Sequence, residues 1–127
     1  MSTASIEQLL IDELRQRGQT IAFCESLTAG LACATLAGVP GASDVLRGGL
    51  VTYATDLKVT LAGVGEEVVA RHGVVSAQTA REMARGCKAA CGADWAVALT
   101  GVAGPDPQDG HHVGEVWIGV SLSLIHI

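Results

Sequence analysis

A chain of 127 residues, 49% hydrophobic and 17% charged, has the length of one domain and the composition of a packed core, which excludes disorder. A net charge of −5 with eight scattered basic residues and 3% aromatics leaves no cationic stripe or stacking platform, so no nucleic-acid partner is expected. Glu7, Asp12 and Glu13 argue against a signal peptide, and Gly30, Gly38, Pro40 and Gly41 break the uncharged stretch 26–43, so no membrane association is expected and the location is read as cytoplasmic.

In chain order, Ile6, Leu9, Leu10 and Leu14 recur at helical spacing, and Gly18 is a natural stop. Thr20 to Cys24 is an apolar run of strand length, followed by Glu25-Ser26-Leu27-Thr28-Ala29-Gly30 and a small-residue helix from Leu31 to Leu36. Arg47 to Ala54 reads as a second strand, with Thr55 or Asp56 as cap of the next helix and Gly63 as its end. A short helix near Glu66 to Arg71 precedes Ser76, the expected N-cap of a long helix from Ala77 to about Ala90. Its stripe Ala80, Met83, Ala84, Cys87 and Cys91 is expected to face a sheet, with Arg81, Glu82, Arg85 and Lys88 outside.

Trp95 to Thr100 has the near-continuous apolar character of a strand covered on both faces. A loop from Gly101 to His112 leads to a fourth strand from about Val113 to Ser121. Strands alternating with helices predict one domain over residues 1–127: a three-layer α/β/α domain with a mixed sheet. The chain stops in strand-like sequence, with no helix following to cover the new sheet face. The ending is therefore read as a C-terminal truncation, with 121–127 as candidate non-native sequence.

Ligand sites in α/β sheets gather at the carboxyl ends of strands, and three suggestive segments fall at such ends. Ser26 lies where a strand becomes a helix; it reads either as an ordinary N-cap or as a nucleophile beside free backbone N–H groups. Neither G-x-S-x-G nor S-x-x-K is present, and the four histidines offer no obvious base. Lys58 is the alternative: burial and the positive helix end would disfavour its charged form, allowing it to take a serine proton directly or through the phenol of Tyr53. By composition alone, a solvated lysine and a half-buried tyrosine are the commoner outcome. Thr100-Gly101-Val102-Ala103-Gly104-Pro105 reads equally as structural turn or substrate loop, and Asp106 to Gly110 as a solvated turn. The four cysteines form no C-x-x-C pair, and His111-His112 stands without carboxylate or thiolate support, so no metal is expected.

Taken together, Ala22-Phe23-Cys24-Glu25-Ser26-Leu27-Thr28-Ala29-Gly30, Gly48 to Tyr53 with Lys58, His72 to Ser76, Thr100 to Pro105 and Val113 to Trp117 resemble the CinA C-terminal-domain family. Stand-alone members of that family are nicotinamide mononucleotide deamidases, and the short lead before the first helix resembles their form. The resemblance implies Ser26 as nucleophile, Lys58 as general base, and Tyr53 as proton relay or positioning group. It also implies Thr28, Ala29, Gly30, Thr100 and Gly101 as substrate and oxyanion surroundings. The implied reaction converts the carboxamide of nicotinamide mononucleotide to the acid and ammonia, in a homodimer, without metal or organic cofactor; a non-catalytic nucleotide-binding or interaction module is the alternative. Leu27 and Ala29 depart from the family's A-E-S-x-T-G-G-like pattern but preserve size class. The family's later strand and helix, with a phosphate-holding arginine, have no counterpart here, which puts the activity of the 127-residue chain in doubt.

Overall fold

The computed structural model describes residues 4–123. Helix α1 (Ile6–Arg17) begins on Ser5, whose hydroxyl accepts the Gln8 N–H, and ends at Gly18 in the left-handed conformation. Strand β1 (Ile21–Glu25) leads to α2 (Leu31–Ala37), and a 3-10 turn at Ala42–Asp44 precedes β2 (Leu46–Val51). Then come α3 (Thr55–Thr60), α4 (Glu66–His72), α5 (Ala77–Cys91), β3 (Trp95–Gly101) and β4 (Val116–Leu122).

The sheet order is β2-β1-β3-β4, with β1 parallel to both neighbours and β4 antiparallel to β3. Every residue of β1 is buried, as expected for a strand with a layer on each face. Its side chains divide between the layers. Ile21 and Phe23 pack with Ile11, Leu14 and Leu36, whereas Ala22 and Cys24 pack with Met83, Ala84 and Cys87 of α5. The expected three-layer α/β/α arrangement is present, and Ser76 caps α5 by accepting the Thr79 N–H.

Three boundaries differ from expectation. β2 ends at Val51, so Thr52 and Tyr53 lie beyond the strand, where the backbone turns toward α3. The N-cap of α3 is Ala54, with no side-chain hydrogen bond, rather than Thr55 or Asp56. β4 begins three residues late because Gly114 takes φ 90° and the 113–115 segment turns back, with Gly114 N–H donating to Val102 O and Glu115 N–H to His112 O. Residues Ser121 and Leu122 pair with Ala96 and Trp95; of the segment 121–127 expected to be non-native, residues 124–127 lie outside the described residues. On the α1 side of β4, Ile118 and Val120 stay exposed.

α5 approaches its neighbours closely enough to require glycine. A β-carbon on Gly86 would run into the Ala62 carbonyl, a backbone atom in the turn after α3. Gly86→Ala should therefore destabilise by about 3 kcal/mol, since overpacking outweighs the roughly 1 kcal/mol gained in helix propensity. Thermal melting checks this; an unchanged or higher midpoint would contradict it.

Candidate active site

The β1 ladder runs one residue past the strand: Ser26 N–H donates to Leu99 O at 3.0 Å, and Thr52 N–H to Glu25 O at 2.7 Å. These bonds bring the ends of three strands together around Ser26, which is buried. The chain then turns tightly, Ala29 N–H donating to Ser26 O and Leu31 N–H to Thr28 O, with Ala29 at φ 50° and Gly30 at φ 102°. The backbone N–H groups of Leu27 and Thr28 donate to no acceptor among the described residues.

Lys58 is 2% exposed and ends beside Ser26. Its Nζ lies 2.9 Å from Ser26 Oγ, 2.7 Å from Thr52 O and 3.4 Å from Tyr53 O. Two of these neighbours are carbonyls and can only accept. A neutral amine has two N–H groups and one lone pair. With both N–H groups given to the carbonyls, the lone pair is left for the serine proton. An ammonium could donate to all three, so one geometry serves both protonation states. Burial pushes the Lys58 pKa below the ordinary lysine range, against a smaller opposing pull from a Cys24 thiolate.

A cavity of about 110 Å³ opens here, lined among others by Ser26, Tyr53, Lys58, Thr100, Gly101 and Asp106. That is below the roughly 300 Å³ of small ligand pockets, so these walls have room for only part of a drug-sized ligand. Thr100 is buried, and its hydroxyl donates to Val74 O at 2.7 Å, tying β3 to the segment before α5. Tyr53 is 65% exposed and lines the cavity, and its hydroxyl has no hydrogen-bond partner among the described residues. Ser26, Tyr53, Lys58, Thr100 and Gly101 thus share one cavity, whereas Thr28, Ala29 and Gly30 are not among its lining residues. The Thr28 hydroxyl is buried without a partner among the described residues, on the side of α1 and α2.

Asp106 and Gln108 line the same cavity, although 106–110 reads from sequence as a solvated turn. A loop this long between adjacent strands was the available signal, since such loops in compact domains are often functional. His111 also differs from expectation: it has a carboxylate partner, its Nδ1 lying 2.6 Å from Glu115 Oε2, which also accepts from Trp117 Nε1. Among the described residues no group of three or more His, Cys, Asp or Glu is placed to hold a metal ion, and no helix is long and apolar enough to cross a membrane.

The mixed α/β fold that carries this serine–lysine pair is that of solved CinA-superfamily domains. The chain belongs to the CinA C-terminal domain family, whose model matches residues 3–124. It is 48% identical over 118 residues to a Limosilactobacillus fermentum protein named for competence-damage induction, covering 93% of this chain and 28% of that protein. It is 45% identical over 117 residues to the CinA-like protein of Frankia casuarinae, covering 92% of this chain and 27% of that relative. The chain thus spans little more than a quarter of the length of these curated relatives. Among solved structures, competence/damage inducible protein CihA from Agrobacterium tumefaciens superposes with a TM-score of 0.87 at 34% identity, covering 96% of this chain and 78% of that one. Competence damage-inducible protein A from Klebsiella pneumoniae gives 0.88 at 32%, covering 91% and 73%.

Proposed function

We propose that this domain hydrolyses the carboxamide of nicotinamide mononucleotide to the corresponding acid and ammonia, acting in the cytoplasm as a homodimer. The supporting observation is the 2.9 Å contact between Ser26 Oγ and a buried Lys58 amine whose other neighbours are carbonyl oxygens. Ser26 Oγ attacks the amide carbon while its proton passes to Lys58 Nζ. The free N–H of Leu27, which lines the cavity, is the first candidate donor to the tetrahedral oxyanion, with that of Thr28 next to it in the turn. Lys58 returns the proton to the leaving nitrogen, ammonia departs, and water attacks the acyl-enzyme with Lys58 again as base. The direct contact supports proton transfer without an intervening phenol, so Tyr53 acts as a wall and positioning group. Thr100 and Gly101 border the bound carboxamide, and Thr28, Ala29 and Gly30 act through the turn that carries the oxyanion donors.

The substrate ring is a pyridinium cation, and Asp106 is the anionic side chain on the cavity wall. Attraction across this partly solvated site is worth on the order of 1 kcal/mol. Asp106→Asn should raise KM for the nucleotide, whose ring is cationic, roughly five-fold, while uncharged nicotinamide, tested as an alternative amide, shows no such change. Equal effects on both amides would refute the charge argument. The reading as a whole is tested by incubating the full protein with nicotinamide mononucleotide and following ammonia and the acid by mass spectrometry. Nucleotide binding without turnover would instead favour a non-catalytic module.

A further inference from the structure

The carboxylate adjoining the nucleophile faces away from the cavity, yet it is among the most buried groups in the protein. Glu25 is 1% exposed, and its two oxygens accept the N–H groups of Ala32 at 2.8 Å and Cys33 at 2.9 Å. These are N–H groups of the first turn of α2, which an N-cap side chain ordinarily satisfies. Here the N-cap is Gly30, which has no side chain to offer. Glu25 therefore caps the helix from inside the sheet, five residues upstream.

From this arrangement we infer that Glu25 is a positioning residue for Ser26, fixing the 26–30 turn so that the hydroxyl meets Lys58 and the turn's N–H groups face the reacting carbonyl. The inference rests on Ser26 being the nucleophile. Alternation along β1 places Glu25 with Ile21 and Phe23 on the α2 side, and the next residue, Ser26, on the side of α3 and Lys58. The turn is consequently held at both ends. Ser26 N–H is fixed to Leu99 O, and the start of α2 is fixed to the Glu25 side chain. Hydrogen bonds to an ionised carboxylate are shorter and stronger than neutral ones, and a buried charge stays tolerable only while they are kept. The clamp thus restricts the turn to one geometry. Ala29, a non-glycine residue at φ 50°, occupies left-handed backbone that an unclamped turn would relax.

Glu25→Gln tests this at nearly constant volume. The amide offers one oxygen and one NH2, so one helix N–H then faces a donor. The primary readout is the rate at which a small fluorophosphonate labels the full protein, with the site located by mass spectrometry. In that reaction Ser26 Oγ forms the P–O bond, fluoride leaves, and the hydroxyl proton passes to Lys58. Misplacement of a reacting group by about 1 Å costs on the order of 100-fold. Labelling and kcat should both fall roughly 10- to 100-fold well below the melting transition, with KM within about twofold of the parent. The midpoint of the pH–rate profile should stay in place, because the burial that lowers the Lys58 pKa and the two carbonyls beside its amine are unchanged. Parental labelling in the variant, a variant that does not fold, or a lower melting temperature with unchanged rates would each assign Glu25 to the fold alone and overturn the inference. A parent protein that is not labelled at Ser26 would remove the nucleophile reading and this inference with it. Equal labelling of parent and variant at Ser26 would remove only the inference.

Discussion

Ser26→Ala is expected to reduce ammonia release from nicotinamide mononucleotide by roughly 10,000-fold or more, the scale on which hydrolases lose kcat when their nucleophile is removed. The loss should fall on kcat. The deleted oxygen is one atom of a wall that also includes Tyr53, Thr100 and Asp106, so most ligand contacts survive. Binding of the nucleotide, measured by calorimetry, should therefore stay within about threefold of the parent. Residual turnover above the uncatalysed rate is expected, because oxyanion donors and binding still act when a nucleophile is gone. The fold should survive as well, since Ser26 is held in the sheet by its backbone N–H bond to Leu99 O. Parental ammonia release in a correctly folded Ser26→Ala protein would eliminate the acyl-enzyme route.

Much of the scaffold for this chemistry is legible in the sequence. The five-residue stripe on α5 follows helical spacing, and four of its members (Ala80, Met83, Ala84 and Cys87) are fully buried against the sheet, with Cys91 packed at the edge of the same core. Gly18 and Ser76 mark a helix end and a helix start by their own backbone chemistry. The site is less legible. Ser26 and Lys58 are 32 positions apart, and they meet only because β1 and β2 pair in parallel with Glu25 opposite Val51, which brings both strand ends to one edge. No local pattern encodes that pairing; the family resemblance supplied it. The carbonyls of Thr52 and Tyr53 leave no trace in side-chain sequence at all, although they set which way the lysine lone pair points. Glu25 gives no sign of its role in sequence, because capping from inside a sheet has no characteristic spacing. The direction of Asp106 and Gln108 is not legible either, because a loop carries no periodicity from which to infer it.

Lys58→Met should lower turnover by roughly 100- to 10,000-fold, the range contributed by a positioned general base. The pH dependence decides which protonation state works. If Lys58 acts as base, the parent enzyme is inactive where the amine is protonated and gains rate as pH rises through its folded pKa, which burial has moved below the ordinary 10.5. If instead the ammonium served as a charged donor, rate would fall with rising pH over the same interval. Stability has its own sign. Between the lowered folded pKa and the unfolded value, the unfolded chain binds a proton that the folded chain lacks, so stability rises with pH across that window. Below the folded pKa, both states are protonated and the folded protein bears the full cost of a buried ammonium. The methionine variant removes the titrating group, so both slopes should flatten in that window. Turnover measured from neutral to alkaline pH, alongside melting temperatures over the same range, tests the two together. A parental rate that declines with pH while melting temperature rises would leave Lys58 buried and perturbed, and exclude it as the base.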